Sequence, residues 1–288
     1  MLMAMAPAKI NLTLEVLGKR PDGFHEIRSV IQTINLCDEL TFQLSQDVTI
    51  KSDSPDWIPQ ESLVSRAVGL LRETTGYSGG VSIEVSKRIP LVSGLGGDSS
   101  DSAATLRGLN ELWGLGLSAE ELVDLAAQLG SDVPFFLYGG TALAEGRGEV
   151  ITPLPSLPYM WVVLEMPMIP RIPEKTKQLY DSLGEHHYTD GQITQRLVEA
   201  LRAGRVFTPS FLFNAFEDVA FNRFSEVKLS RDRIIEIGAT NVNLTGSGPA
   251  LYTLVKDKAQ AEDFYIELRQ RNLTPYLTDT LAATEKVE

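Results

Sequence analysis

A glycine-rich segment between a strand pattern and a helix pattern constrains the fold of this chain more than any other feature. Residues 94–101 read Gly-Leu-Gly-Gly-Asp-Ser-Ser-Asp. Apolar residues alternate with polar ones over residues 81–86, which is typical of a half-buried strand, and they recur at helical spacing over residues 103–113. The sequence therefore predicts a strand, a glycine-rich turn and a helix in direct succession.

Such a turn can bind an anion. Three glycines in four positions allow positive φ angles and a close approach of the backbone to a ligand. The N–H groups in the first turn of the helix then point at that ligand. Two better-known phosphate loops are excluded, because the chain has no Gly-x-x-x-x-Gly-Lys-Ser/Thr and Ser99 stands where Gly-x-Gly-x-x-Gly needs its third glycine. Taken alone, the segment is as well explained by a flexible turn with a helix cap.

Composition narrows the possible functions. The net charge of −12 argues against nucleic-acid binding, which needs clustered Lys and Arg. The single cysteine, Cys37, excludes an internal disulfide, and three histidines provide no spaced set of metal ligands. We find no signal-peptide pattern and no apolar run of about 18 residues, so we expect a cytoplasmic protein that does not bind membranes.

The length of 288 residues suffices for two domains. The best candidate boundary is at residues 152–158, where three prolines occur in seven positions. We therefore predict an N-terminal domain over residues 1–155 and a C-terminal domain over residues 156–288.

Two stretches near the N terminus carry candidate functional residues. Residues 8–17 alternate as a strand that places Lys9 and Asn11 together on the face away from the core. A solvated surface is the simpler interpretation of that face. The dipeptide Phe24-His25 follows a turn, where it could hold a flat ring or pack half-buried against the protein.

Two later stretches are also candidates. Asp132 stands between a predicted helix end and an apolar run, a place for either a turn residue or a catalytic carboxylate. A second glycine-rich hairpin is predicted over residues 242–252. By itself it is a tight hairpin, and paired with the first turn it could form the other side of a phosphate clamp.

Three motifs together are more specific than any one of them. Residues 7–12 (PAKINL), 94–101 (GLGGDSSD) and 244–248 (LTGSG) resemble the motifs of the GHMP small-molecule kinases, in order and across nearly the whole chain. Residues 21–25 and 129–134 are most similar to members of that superfamily that act on a cytidine-diphosphate-linked alcohol in non-mevalonate isoprenoid biosynthesis.

The resemblance implies both a fold and a reaction. The fold is α+β, with an N-terminal domain like the second domain of ribosomal protein S5 and a ferredoxin-like C-terminal domain. The reaction is transfer of the ATP γ-phosphoryl group to a hydroxyl of the small molecule, with Mg²⁺ as the accompanying metal. Lys9 and Asp132 are implied as the catalytic pair, with Asn11 holding the substrate beside them. The implied ATP-binding residues are Lys87, Pro90, Ser93, Gly94, Leu95, Gly96, Gly97, Asp98, Ser99 and Ser100, with Mg²⁺ near Ser99, Ser100 or Asp101.

The same resemblance assigns the nucleoside contacts. His25 is implied to read the cytosine, with Phe24 and Tyr180 stacking on its faces and Thr176 among the substrate contacts. Adenine contacts are implied around residues 62–66 and at Lys87. The implied second glycine loop consists of Gly246, Ser247 and Gly248.

Three positions depart from the family pattern. Phe24 replaces a common tyrosine, and Ser62 replaces an asparagine that many members carry near the nucleoside. Asp98 occupies the usual place of a glycine in the phosphate loop. A carboxylate about 5 Å from a phosphate would oppose binding by about 3 kcal/mol at an effective dielectric near 20. We therefore predict that Asp98 points outward or caps the helix.

Two alternatives remain open at this stage. The chain could phosphorylate another small alcohol, such as mevalonate or homoserine, although Phe24-His25 favours an acceptor that carries a ring. It could also be a nucleotide-binding regulator without turnover, which the presence of both Lys9 and Asp132 disfavours. We predict a monomer or a weak homodimer.

Overall fold

The computed structural model describes residues 1–283 and confirms a mixed α+β fold. No helix within this range combines the length and the apolar character needed to cross a membrane. The strands are β1 (Leu2–Lys19), β2 (His25–Ser45), β3 (Thr49–Ser52), β4 (Gly80–Ser86), β5 (Thr141–Gly146), β6 (Val150–Pro153), β7 (Trp161–Glu165), β8 (Phe213–Asn214), β9 (Asn243–Leu244), β10 (Leu251–Val255) and β11 (Pro275–Asp279). The helices are α1 (Leu63–Thr75), α2 (Gly97–Leu112), α3 (Ala119–Leu129), α4 (Val133–Tyr138), α5 (Lys175–Asp181), α6 (Gln192–Arg202), α7 (Glu217–Arg223), α8 (Ser225–Glu236) and α9 (Lys258–Gln270).

The chain forms two compact units that are interleaved along the sequence. Strands β1 and β2 contribute residues to both, so the units do not coincide with the predicted segments 1–155 and 156–288. The boundary between those segments stays a prediction. The first unit contains Met1–Ala8, Leu36–Leu91 and Gly96–Tyr138, and the second contains Lys9–Asn35, Val92–Leu95 and the chain from Gly139 onward.

In the first unit, a small sheet carries a layer of helices. Strand β3 runs parallel to β4, and β4 pairs antiparallel with the second half of β2. Helices α1 to α4 pack against one another. Gly108 of α2 lies directly against the sheet, since a Cβ at that position would stand 2.9 Å from the ring of Phe42. This close packing holds α2, which starts within the glycine-rich segment, against the sheet.

Helix α2 begins inside the glycine-rich segment. Gly96 takes a left-handed conformation with a φ of 75° and forms the N-cap, so Asp98 and Ser99 lie in the first helical turn. Ala103, Leu106 and Leu109 are fully buried, as their helical spacing predicts, and they anchor the inner face of the helix.

The second unit contains two sheets. Strand β8 pairs parallel with β1, and β5 pairs antiparallel with the first half of β2 and with β6. The other sheet has the order β11–β7–β10–β9 with all neighbours antiparallel, and it includes the predicted glycine-rich hairpin. Leu14, Phe216, Leu251 and Phe264 belong to the core that joins these strands to the helices of the unit.

The expectation of a solvated face on β1 is wrong. Lys9 and Asn11 are only 3% and 4% exposed. Other parts of the second unit cover this face, where the Thr194 N–H donates to the buried carboxylate of Glu15 and the Tyr252 hydroxyl donates to the Asn11 carbonyl. Alternation along a strand separates a polar face from an apolar one, but tertiary packing decides whether the polar face is covered.

Candidate active site

Within the second unit, the turn at residues 92–95, called the first turn, lies against the glycine-rich hairpin at residues 242–252, called the second turn. The carbonyl of Ser93 accepts a hydrogen bond from the Ala250 N–H at 3.1 Å. The carbonyl of Leu95 accepts one from the Lys9 N–H at 2.9 Å. The turn at residues 92–95 is therefore tied both to the second glycine-rich hairpin and to β1.

Gly94 makes the closest approach between the two turns. Its φ is 87°, a conformation that side chains with a Cβ rarely adopt, and a Cβ there would lie 2.3 Å from the carbonyl oxygen of Thr245. Any larger residue at this position must displace the second turn.

We expect Gly94→Ala to lower the free energy of unfolding by about 3 kcal/mol, because backbone strain and a collision add together. Urea denaturation followed by circular dichroism measures the change. Gly204→Ala is the matched control, since Gly204 also has a positive φ, 62°, but has nothing within 4 Å of the added Cβ. Equal losses in both variants would show that the contact with Thr245 is unimportant.

Asn11 connects Lys9 with the second turn. Its Oδ1 accepts hydrogen bonds from the Lys9 ammonium at 2.7 Å and from the Gly246 N–H at 2.9 Å. Its Nδ2 donates to the hydroxyl of Ser29 at 2.9 Å. Asn11 is 4% exposed and both ends of its amide are engaged within the protein, which gives it a positioning role toward Lys9, and its predicted contact with substrate stays a prediction.

Lys175 joins the same two turns, although no sequence pattern marks it as a site residue. The residue is 5% exposed, and its ammonium donates to the carbonyls of Val92 and Ser247, each at 3.3 Å, and to that of Gly248. Burial lowers the pKa of Lys175 to about 8. The next residue, Thr176, is exposed, and its hydroxyl is hydrogen-bonded to that of Ser247 at 2.9 Å.

In the first unit, the N terminus of α2 has the features of the predicted anion site. Gly96, Gly97 and Ser99 are half-buried, whereas Ser100 is buried. The first hydrogen bond within the helix runs from the Ser100 N–H to the Gly96 carbonyl at 2.9 Å, so the preceding N–H groups lie ahead of the helical ladder. The N terminus of this 16-residue helix also carries partial positive charge.

Asp98 points outward, as predicted. The residue is exposed, and its carboxylate accepts a hydrogen bond from the Trp57 indole N–H at 3.1 Å. No side-chain hydrogen bond caps α2, which excludes the capping alternative. The bond to Trp57 explains how the chain carries a carboxylate where the family usually has glycine.

We expect Asp98→Gly to change the Kd for ATP by less than about tenfold, because the lost bond to Trp57 is worth only about 0.5–1.5 kcal/mol. Asp98→Asn is the companion variant, which removes the charge and keeps an acceptor for the indole. Calorimetry measures both affinities. A hundredfold gain in affinity in either variant would show that the carboxylate faces the phosphates.

Lys87 is enclosed in a buried ion cluster of the first unit. Its ammonium donates to Asp38 at 2.5 Å and to Asp101 at 2.7 Å, and both carboxylates are fully buried. Asp38 also accepts hydrogen bonds from the N–H groups of Arg88 and Ile89. Burial raises the pKa of Asp101 to about 8, so near neutral pH one carboxylate balances the ammonium. The predicted contacts of the Lys87 ammonium with ATP and of Asp101 with Mg²⁺ stay predictions.

Several other predicted nucleotide contacts have buried side chains. Ser93 is 3% exposed and its hydroxyl accepts from the Leu95 N–H, while the Leu95 side chain is fully buried. Any contact from these two residues must come from the main chain. Pro90 is half-buried. The Ser62 hydroxyl caps α1 by accepting from the Ser65 N–H at 3.2 Å, so it serves the helix.

The predicted base-reading residues lie in the second unit. His25 is 8% exposed, and burial lowers its pKa, so the ring is neutral near pH 7 and offers one donor and one acceptor. Tyr180 stacks on the His25 ring, with centroids 4.9 Å apart, and its predicted stacking on a bound base stays a prediction. Phe24 is 51% exposed, with the guanidinium of Arg147 4.8 Å from its ring centroid.

Asp132 lies in the first unit. It is half-buried, in the short connection between the end of α3 and the start of α4. Gly130 is the C-cap of α3, and its N–H donates to the Ala126 carbonyl at 3.2 Å. The carboxylate is thus carried at the junction of two helices, as its position in the sequence predicts.

Two family models match the chain, GHMP kinases N terminal domain over residues 62–140 and GHMP kinases C terminal over residues 196–274. A 4-diphosphocytidyl-2-C-methyl-D-erythritol kinase from Dehalococcoides mccartyi is 51% identical over 281 residues, which cover 98% of this chain and 99% of that protein. The chain belongs to the 4-diphosphocytidyl-2-C-methyl-D-erythritol kinase family of the GHMP kinases.

Solved structures of GHMP kinases agree with this assignment. A crystal structure of 4-(cytidine 5'-diphospho)-2C-methyl-D-erythritol kinase matches with a TM-score of 0.82 at 34% identity, covering 97% of this chain and 99% of that one. A homoserine kinase from Cytophaga hutchinsonii, at a TM-score of 0.75 and 17% identity over 99% of this chain and 95% of that one, shares the fold alone. The predicted two-domain GHMP kinase fold is confirmed.

GHMP kinases use ATP, and the donors at α2 suit the metal that accompanies it. The hydroxyl of Ser100 is buried and has no hydrogen-bond partner among the described residues. Such an orphaned oxygen at a helix N terminus is available to a ligand, and Mg²⁺ prefers oxygen donors. Ser99, half-buried beside it, offers a second hydroxyl. Ser99 and Ser100 therefore fit Mg²⁺, and Asp101, whose Oδ1 likewise has no hydrogen-bond partner among the described residues, stays a candidate.

Proposed function

We propose that this GHMP kinase transfers the γ-phosphoryl group of ATP to the 2-hydroxyl of 4-diphosphocytidyl-2-C-methyl-D-erythritol. The observation that carries the proposal is the 51% identity to a kinase of that name over 98% of the chain. The reaction belongs to the non-mevalonate route to isoprenoid precursors, and the protein is a phosphotransferase with an alcohol acceptor.

ATP is proposed to place its phosphates at the N terminus of α2. There the N–H groups of Gly97, Asp98 and Ser99 and the helix dipole favour negative charge. Mg²⁺, held by Ser99 and Ser100 with phosphate oxygens, would neutralise charge on the β- and γ-phosphates. The contacts between the two glycine-rich turns fix the chain that leads into this helix.

Phosphoryl transfer needs mainly positioning and charge stabilisation from the protein. In the proposed step the 2-hydroxyl gives its proton to Asp132, its oxygen bonds to the γ-phosphorus, and the bond to the β–γ bridging oxygen breaks to release ADP. The Lys9 ammonium stabilises the negative charge that develops on the reacting oxygens. Because Asn11 already holds that ammonium at 2.7 Å, its position needs no reorganisation when substrate binds.

The aromatic residues of the second unit support a cytidine-bearing acceptor. A neutral His25 can pair one donor and one acceptor with the edge of cytosine, which itself presents both. The exposed ring of Phe24 offers a surface for stacking. Mevalonate and homoserine carry no ring that would use these groups. A cytoplasmic location and a monomeric or weakly dimeric state remain predictions.

The proposed acceptor is tested by an ADP-release assay with ATP, Mg²⁺ and each of three acceptors. We expect turnover with 4-diphosphocytidyl-2-C-methyl-D-erythritol and a kcat/KM at least ~100-fold lower with mevalonate or homoserine, which lack the groups that the site would bind. Turnover on mevalonate or homoserine alone would assign a different alcohol kinase. ATP binding without turnover on any of the three would indicate a catalytically silent homologue.

A further inference from the structure

Lys175 is a buried ammonium that links both glycine-rich turns. Among the described residues, its hydrogen bonds go to the main-chain carbonyls of Val92, Ser247 and Gly248, one acceptor for each of its three protons. Val92 belongs to the turn at residues 92–95, and the other two belong to the second glycine-rich hairpin. A single side chain therefore sets the spacing of the two turns from inside.

The charged surroundings of this ammonium are unusual for a buried lysine. Within residues 1–283, no carboxylate forms an ion pair with it. On the same segment, Glu174 pairs with Lys177 at the surface, at 3.6 Å. A second ammonium, that of Lys9, also lies beside the second turn, where its nitrogen would be 3.4 Å from a Cβ at Gly246. A buried charge that only carbonyl dipoles solvate is unfavourable in the free protein and gains from an anionic ligand.

We propose that Lys175 is a positioning residue for the triphosphate, whose ammonium holds the two glycine-rich turns at a fixed spacing. The proposal rests on the proposed use of ATP. Leu95, at the end of the first turn, leads directly into Gly96, the N-cap of α2. Because Leu95 and Gly96 are covalently joined, the conformation of the first turn bears on the N–H groups that follow it in the chain, which are proposed to bind phosphate.

The charge state of Lys175 supplies a readout that a purely structural contact would not. Because its pKa is lowered to about 8, the lysine loses its proton as the pH rises through that value, and with the proton it loses a donor and its charge. Affinity for ATP should then fall. The free energy of unfolding should not fall with it, because the unfolded chain keeps this proton up to about pH 10 and the contribution of this group to stability therefore increases with pH.

The test is calorimetric titration with the non-hydrolysable ATP analogue adenylyl imidodiphosphate and Mg²⁺, without acceptor. The range is about pH 7 to about pH 9.5, and any effect of titrating the nucleotide itself is shared by all the proteins compared. We expect the wild-type Kd to rise about tenfold across this range. Lys175→Met should bind about tenfold more weakly than wild type at pH 7 and show no rise, because charged hydrogen bonds are lost. Lys175→Arg stays protonated and should also show no rise. The surface control Lys177→Met should behave as wild type.

Three results would overturn the role of Lys175. These are a wild-type Kd that is constant over the range, a rise that persists in Lys175→Arg, and a Lys175→Met that binds as wild type does at pH 7. If Lys175→Met does not fold, the wild type and Lys175→Arg still decide. A parallel ADP-release assay separates this inference from the proposed function. Turnover together with pH-independent ATP binding would reject only the proposed role of Lys175. ATP binding that depends on pH, without turnover, would reject only the proposed acceptor.

Discussion

Replacing Asp132 with asparagine lowers kcat by about a hundredfold to ten-thousandfold, the usual contribution of general acid–base catalysis. Asparagine has nearly the same shape as aspartate but cannot take the proton of the 2-hydroxyl. The Kd for ATP should stay unchanged, because Asp132 is proposed to act on the acceptor and the phosphates are proposed to bind at α2. Steady-state kinetics give kcat, and calorimetry gives the Kd.

Asp124→Asn is the matched control for this variant. Asp124 is an exposed aspartate on α3, eight positions earlier in the same unit, so the substitution makes the same chemical change away from the proposed chemistry. It should retain wild-type turnover. Wild-type kcat in Asp132→Asn, or an equal loss in both variants, would remove Asp132 from the proposed mechanism.

The largest expected loss of stability comes from Lys87→Met. Methionine keeps most of the volume but leaves Asp38 and Asp101 buried without a cation. Removing one partner of a buried ion pair costs about 3–5 kcal/mol. Urea denaturation measures the loss. It should be smaller at about pH 5 than at about pH 8, because Asp101, whose pKa is raised to about 8, is protonated at the lower pH and then needs no counter-charge.

Arg88→Met provides the control at the next position. The Arg88 guanidinium pairs with Asp53 at 3.1 Å, but the two side chains are 62% and 47% exposed. A surface pair of this kind is worth about 0–1 kcal/mol. If Lys87→Met were no more destabilising than Arg88→Met, the buried cluster would contribute no more to stability than an ion pair at the surface.

Local sequence patterns were sufficient to predict the elements that carry the site. The helical spacing after residue 102 predicts α2, the Ser118–Glu121 capping box predicts the start of α3, and both capping bonds are present. The glycines of the first turn were predictable because positive φ and a close backbone approach require them. The outward orientation of the Asp98 side chain was also predictable, because Coulomb repulsion from a bound phosphate disfavours an inward carboxylate.

The contacts that position the site were not predictable from such patterns. Lys175 donates to main-chain carbonyl oxygens of residues 72 to 83 positions away. Because every residue type has a main-chain carbonyl, no particular side chain in the sequence identifies these partners. Lys87 and Asp101 are 14 positions apart and meet only when α2 packs on the sheet. Asn11 looked like a surface residue because the parts of the second unit that cover β1 come from distant regions of the chain.

The phosphorus NMR spectrum of the reaction product tests the proposed reaction most directly. The sample contains the protein, ATP, Mg²⁺ and 4-diphosphocytidyl-2-C-methyl-D-erythritol. We expect one new phosphomonoester on the 2-hydroxyl for every ADP released, with the cytidine diphosphate group intact. Unchanged acceptor after prolonged incubation, or ADP accompanied only by inorganic phosphate, would contradict the proposed transfer.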